Sequence, residues 1–312
     1  MKFHTTPALL VAALLTTCLT AAGGPTPFPN DKDEAAWPGK GPIRSFGWMV
    51  DNRNYFWTQR EKDQGAIVFV GDSLTGNWET LAQSFPDLKV ANRGIGGDTS
   101  RGVHFRFRED VLDLKPRAIV LCIGSNDLSA HANPTDAESN IAAILAQARE
   151  YSATMPIVLC TIPRRATAVA PTKPGAHADL NARIKNLATG KETLVLLDFM
   201  PAFGVIEDQP IPELLLEDRL HMAAPGYQKW AEMLRPLLAK MAAKSDAPPP
   251  AGPTNHGVDV GLGEGGIEID AGSIGKFTVG YPALFDADQR WFANWWRGTS
   301  QDRVRHSATR AA

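Results

Sequence analysis

Four short stretches carry residue types that together can do hydrolytic chemistry: Gly71-Asp72-Ser73-Leu74, Gly94-Ile95-Gly96-Gly97-Asp98, Gly124-Ser125-Asn126-Asp127 and Asp218-Arg219-Leu220-His221. A serine hydroxyl is a poor nucleophile until a base takes its proton during attack, and histidine suits that task because imidazole titrates near neutrality. Ser73 is therefore the candidate nucleophile and His221 the candidate base, with Asp218 three residues earlier to orient the imidazole. Attack on an ester carbonyl also develops an oxyanion, which needs preorganised donors where the charge appears.

These residues are far apart in sequence, so the elements between them must converge. Short apolar runs at 66–70, 90–92, 118–123, 157–162 and 194–199 alternate with longer helical patterns. Continuous apolar strands separated by helices predict a parallel sheet covered on both faces. On that reading Ser73 follows the first strand, Gly97 the second and Asn126 the third, while Asp218 and His221 come after the fifth. All lie beyond strand carboxyl ends, where open α/β sheets form their ligand crevice. Among the helices, Thr135 and Glu138 read as a capping box ahead of Ile141, Ile144, Leu145 and Ala148 on one face. A second helix carries Leu180, Ile184 and Leu187 and stops near Gly190. The last begins near Pro225, presents Trp230, Leu234, Leu237 and Met241, and is expected to kink at Pro236. A polar-aromatic stretch around Tyr55-Phe56-Trp57 predicts a further helix with a structural role.

The same four stretches, in the same order, resemble the SGNH (GDSL-type) hydrolase superfamily of esterases, lipases and carbohydrate deacetylases, over roughly residues 46–243. The resemblance implies a flavodoxin-like three-layer α/β/α sandwich with a five-stranded parallel sheet, and an acyl-enzyme built on Ser73, His221 and Asp218. It also implies an oxyanion hole made by the backbone N–H of Ser73, the backbone N–H of Gly97 and the side-chain amide of Asn126, with no metal or organic cofactor. Residues 92–99 are most similar to the platelet-activating-factor acetylhydrolase-like and carbohydrate acetylesterase branch, which favours short acyl groups, particularly acetyl. The implied product is a secreted serine esterase acting on a small-molecule or glycan ester. Two alternatives stay open: a lipase or lysophospholipase-type esterase, and a non-catalytic secreted glycan-binding protein on a hydrolase scaffold.

Taken singly, each stretch also has a purely structural reading. Asp72 and Ser73 sit at a strand-to-helix junction, where Ser73 can serve as an N-cap. Gly94, Gly96 and Gly97 can serve a tight turn, and Asn126 and Asp127 can cap a loop. Asp72, Asp98 and Asp127 are expected to hold loops rather than exchange protons, and Arg164 and Arg165 after the fourth strand are left outside the site. Gly94 to Thr99 superficially resembles a dinucleotide fingerprint, but Thr99 stands at the third glycine position and the stretch follows the second strand.

Composition bounds the rest. The chain has 312 residues, 44% of them hydrophobic, and a formal net charge of -2, so it offers no electrostatic footprint for nucleic acid. Lys2, the apolar run at 8–15 and the small residues Thr20-Ala21-Ala22 read as a secretory signal peptide, with secreted or periplasmic localisation and no transmembrane span expected. The rival is a lipoprotein signal anchored at Cys18, although Thr17 stands where Gly, Ala or Ser is usual. Cys122 and Cys160 then remain, read as buried thiols with a disulfide as the alternative. The expected organisation is a signal at 1–22, a Pro/Gly-rich leader at 23–45, the hydrolase domain at 46–244, a Pro-rich linker at 245–256 and a C-terminal segment at 257–312. That last segment carries Trp291, Trp295 and Trp296, reads either as a sugar-stacking face or as a hairpin packed back on the main domain, and is assigned no function.

Overall fold

A computed structural model describes residues 23–166, 170–190, 193–203 and 211–244, together with the strands Asp259–Gly263, Gly266–Asp270 and Lys276–Gly280. In the main unit the elements run α1 (Gly47–Gln59), β1 (Ile67–Gly71), α2 (Ser73–Gly76), α3 (Leu81–Ser84), β2 (Val90–Gly94), α4 (Ser100–Asp110), β3 (Ala118–Cys122), α5 (Ser125–Ser129), α6 (Pro134–Tyr151), β4 (Ile157–Cys160), α7 (Ala176–Ala188), β5 (Leu194–Leu197), α8 (Met200–Phe203) and α9 (Ala224–Lys244). The five strands pair in parallel in the order β2-β1-β3-β4-β5.

The strands read as unbroken apolar runs because both faces are covered. Every residue of β1, β3 and β4 is buried. Val68, Val70, Ile119, Leu121 and Leu159 point to one face, against Val103 and Phe107 of α4, Ile141 and Ile144 of α6 and Ile184 of α7. Phe69, Val120 and Val158 point to the other, against Trp230, Leu234 and Leu238 of α9. The strands thus form the middle of three layers, as expected. On the α9 face Trp78 and Trp230 stack with ring centroids 4.8 Å apart, which packs the turn after α2 onto the last helix.

Two local features differ from the expectation. The N-cap of α6 is Asn133, whose side chain accepts from the Thr135 N–H at 3.1 Å, and Pro134 occupies the first turn. Proline is favoured there because its missing N–H would be unpaired anyway, so the Thr135–Glu138 capping box gives way, and Glu138 instead accepts from Arg183 of α7 at 2.6 Å. Pro236 lies inside α9, within the helix expected from sequence. The stretch 25–42 is built onto α4: buried Arg101 donates to the carbonyls of Glu34 (2.9 Å), Pro38 (2.9 Å) and Gly41 (2.9 Å), and Trp37 is 3% exposed. Cys122 and Cys160 are both buried free thiols.

The second unit contains an antiparallel three-stranded sheet, β6 (Asp259–Gly263), β7 (Gly266–Asp270) and β8 (Lys276–Gly280), where the alternating pattern suggested a hairpin. The signal at 1–22, the linker at 245–256 and Trp291, Trp295 and Trp296 lie outside the described residues. Among the described residues no helix is long and apolar enough to cross a membrane.

Candidate active site

The strand order doubles back between β1 and β3, and the loops after those two strands flank the switch point. Ser73 is the first residue of α2, directly after β1. The N-cap of that helix is Asp72, whose Oδ1 accepts from the Leu74 N–H at 2.9 Å, so the cap is supplied without using the Ser73 hydroxyl. That hydroxyl instead meets His221 Nε2 at 2.9 Å.

His221 lies on a tight loop closed by a bridge between Leu215 and Met222. Within it Leu216 N–H donates to the His221 carbonyl at 2.8 Å, and Arg219 adopts a left-handed backbone with φ 52. The Asp218 carboxylate holds the loop and the ring together: Oδ1 accepts from the backbone N–H of Leu220 and His221 at 2.9 Å each, and Oδ2 meets His221 Nδ1 at 2.5 Å. Burial pushes the Asp218 carboxyl up, but the His221 ring and the two backbone donors outweigh it and hold the group at about 2. Asp218 is therefore ionised at neutral pH, and it selects the tautomer in which His221 Nε2 can accept the serine proton. Ser73 is 7% exposed and His221 4%. Their hydrogen bond is thus little diluted by solvent.

The turn after β2 packs closely under α2. A Cβ on Gly94 would lie 2.2 Å from the Gly76 amide nitrogen, so only glycine fits there. Gly97 takes φ 86, a conformation glycine adopts without strain. A Cβ on Gly96 would sit 3.9 Å from the Ser73 Cβ, which puts this turn against the nucleophile. Asn126 in α5 donates from Nδ2 to the Asp98 carbonyl at 3.0 Å. Among the described residues, no acceptor takes the backbone N–H of Ser73 or Gly97. The three oxyanion donors expected from sequence are thus brought to one end of the sheet, and the arrangement can stabilise a tetrahedral oxyanion formed on Ser73.

Buried carboxylates hold these loops. Asp98 pairs with Arg106 Nε at 2.8 Å and accepts from the Thr99 N–H at 2.9 Å. Burial raises its carboxyl to about 6, with Arg106 opposing. Asp127 accepts from the Ser100 N–H at 2.9 Å and the Ser100 hydroxyl at 2.6 Å. Arg165 donates to the hydroxyls of Ser125 and Ser129, at 3.0 Å each, and so steadies α5.

Asp72 is different: its Oδ2 has no hydrogen-bond partner among the described residues, and burial raises its carboxyl to about 7, the Leu74 N–H opposing. A carboxyl raised above its unfolded value lends stability that is fully present below about pH 4 and is lost as pH rises through about 7. We expect Asp72→Asn, which keeps the acceptor for Leu74, to gain stability over the wild type by on the order of 2–3 kcal/mol between pH 5 and pH 8.5. Thermal melts of both proteins at the two pH values check it. A difference that does not change with pH contradicts it.

Sequence reasoning missed two residues beside these donors. Arg44 Nη1 donates to the Gly97 carbonyl at 3.1 Å and to Asn126 Oδ1 at 3.0 Å, and Trp48 Nε1 donates to the Gly96 carbonyl at 2.9 Å. Neither belongs to a recognisable motif. The only signal was the run of aromatic residues ahead of the first strand.

A parallel α/β sheet with a hydrogen-bonded Ser-His-Asp chain at its carboxyl end is the arrangement expected of an ester-hydrolysing enzyme of the SGNH type. Residues 65–229 match the GDSL-like Lipase/Acylhydrolase family, and the chain belongs to that family. It is 30% identical over 205 residues to platelet-activating factor acetylhydrolase IB subunit alpha2 of Homo sapiens, covering 62% of this chain and 84% of the relative. It is 26% identical over 205 residues to the alpha1 subunit of Pongo abelii, covering 63% and 85%. The crystal structure of a GDSL-like lipase from Bacteroides thetaiotaomicron superposes with a TM-score of 0.54 at 24% identity, covering 62% of this chain and 98% of that one. This last likeness is one of fold.

Proposed function

We propose that the protein is an exported serine esterase that removes short acyl groups, chiefly acetyl, from carbohydrate or other small alcohols. The observation that carries the reading is the unbroken hydrogen-bonded chain from Ser73 through His221 to Asp218. In this mechanism His221 Nε2 takes the Ser73 proton as Oγ attacks the ester carbonyl. The oxyanion is held by the N–H groups of Ser73 and Gly97 and the amide of Asn126. His221 then gives its proton to the departing alkoxide, leaving an acyl-enzyme. Water, deprotonated by His221, attacks the acyl-enzyme, releases the acid and returns the proton to Ser73.

The acetyl preference is supported by relatives that carry the name acetylhydrolase and by the likeness at residues 92–99. The export reading rests on residues 1–22. One experiment addresses both: protein recovered from the exported fraction is assayed on p-nitrophenyl esters from acetyl to palmitoyl, and its intact mass is measured. The expected result is a chain beginning at Gly23 whose kcat/KM is highest for acetate and falls by on the order of tenfold or more by octanoate, each mismatched methylene being worth about 1 kcal/mol or more. Rates that rise toward palmitate would overturn the acetyl reading in favour of a lipase. Protein absent from the exported fraction, with residues 1–22 retained inside the cell, would overturn export.

A further inference from the structure

We infer that Arg44 and Trp48, on the segment leading into and beginning α1, are positioning residues that lock the oxyanion donors of Gly97 and Asn126 in their productive orientation. The inference rests on the site reading above and extends it to residues outside the matched family region.

The first group held in this way is the Gly96–Gly97 peptide. In a trans peptide the carbonyl and the N–H point in opposite directions. The Gly96 carbonyl and the Gly97 N–H belong to one such unit, so the indole of Trp48 on the carbonyl at 2.9 Å fixes where the Gly97 N–H points. Flanking glycines make rotation of that unit easy, because glycine accepts either sign of φ. A rotated peptide would turn a carbonyl toward the substrate oxygen and remove a donor. The indole bond opposes this and also polarises the amide, which strengthens the N–H on its far side.

The Asn126 amide has a related weakness, since its oxygen and nitrogen ends are nearly the same shape. Two contacts break that symmetry. A guanidinium can only donate, so the end facing Arg44 Nη1 at 3.0 Å must be Oδ1. A carbonyl can only accept, so the end facing Asp98 O at 3.0 Å must be Nδ2. Nδ2 has a second N–H, and this is the one that remains for the oxyanion. The other hydrogen of Arg44 Nη1 reaches the Gly97 carbonyl at 3.1 Å, which ties the next peptide to the same cation.

Arg44 is held in place by the preceding strap. Thr99 Oγ1 donates to the Pro42 carbonyl at 3.0 Å, Arg101 Nη1 to the Gly41 carbonyl at 2.9 Å and Asn140 Nδ2 to the Lys40 carbonyl at 2.7 Å. Asn140 also bonds the hydroxyl of Ser100, which donates to Asp127. The strap and the oxyanion loops are therefore parts of one hydrogen-bonded assembly, with the buried α4 residues between them.

The test is a kinetic cycle on p-nitrophenyl acetate with Arg44→Met, Trp48→Phe and Asn126→Ala, singly and in pairs, alongside Ser73→Ala and melting curves. Arg44→Met removes a charged donor and is expected to lower kcat by on the order of tenfold or more, with KM within about twofold. Trp48→Phe keeps the ring and loses only the N–H, and is expected to lower kcat several-fold. In the Asn126→Ala background the Arg44 effect shrinks to the few-fold part carried by Gly97, while the Trp48 effect persists in full. Residues that merely dock the strap would lower Tm and leave kcat unchanged. That result, or an Arg44 effect of equal size in both backgrounds, would overturn the inference while Ser73→Ala is still inactive. If Arg44→Met does not fold, Arg44→Gln, which removes the charge and shortens the reach while keeping a polar end, gives the same cycle. Full activity in Ser73→Ala, or no activity in the wild type, would overturn the site reading and this inference with it.

Discussion

Replacing Ser73 with alanine is expected to reduce kcat on short p-nitrophenyl esters by on the order of 10⁴- to 10⁶-fold. The reason is that every later step uses what this residue begins. Without Oγ there is no acyl-enzyme, and the proton that His221 Nε2 would accept at 2.9 Å does not exist. His221→Ala is expected to fall by a similar factor, and the double variant by no more than either single, because residues acting as one unit do not lose activity additively. The fold is not expected to suffer. Asp72, not Ser73, caps α2, so the melting temperature of Ser73→Ala stays close to that of the wild type. Losses that multiply in the double variant would mean that the two side chains act separately and that the geometry is incidental.

The largest expected effect on stability comes from Arg106, which is fully buried. Its guanidinium meets Asp98 Oδ2 at 2.8 Å, Asp110 Oδ2 at 3.3 Å and the carbonyls of Gly71 at 3.2 Å and Arg93 at 2.9 Å. It thus neutralises the acid that ends the glycine turn and caps the carboxyl ends of β1 and β2. Arg106→Met removes the group that opposes burial at Asp98, so this carboxyl must take up a proton or stay charged without its main partner, and either outcome leaves a broken buried pair that destabilises by about 3–5 kcal/mol. For a domain of this size that is a fall in Tm of roughly 6–20 °C. Much of the penalty falls on the carboxyl left without its guanidinium, so adding Asp98→Asn, which keeps the acceptor for the Thr99 N–H, is expected to restore part of it. Denaturant unfolding of both variants checks this. A loss below about 1 kcal/mol in Arg106→Met, or a double variant less stable than the single, would contradict it.

Much of this was legible in sequence because it is encoded locally. The unbroken apolar runs marked five strands, with only their ends shifting: 157–162 closes at Cys160, and 90–92 extends to Gly94. The Asp218-to-His221 spacing put carboxylate and imidazole on one loop, and the chain order put Ser73, Gly97 and Asn126 beyond strand carboxyl ends, while the strand order that sets the switch point came from the fold. What sequence hid is long-range. Arg44 meets Gly97 and Asn126 across 53 and 82 residues, and Arg101 reaches back 60 residues or more into the strap, with no periodicity or motif to signal either. The Pro/Gly-rich composition of 23–45 read only as a leader, yet glycine and proline also suit a chain that turns repeatedly to present its carbonyls to a neighbour. At α6, Asn133 and Thr135 were both suitable caps, and Pro134 decided between them through the hydrogen it lacks.

The central claim is that Ser73 is an activated nucleophile. Incubating the protein with a fluorophosphonate, digesting it and mapping the adduct by mass spectrometry tests that claim most directly, since the reagent transfers its phosphonyl group to an activated serine oxygen with loss of fluoride. The expected result is one stoichiometric adduct on Ser73, absent in His221→Ala. An adduct on a different residue, or an unmodified Ser73 in protein that hydrolyses esters, would contradict it.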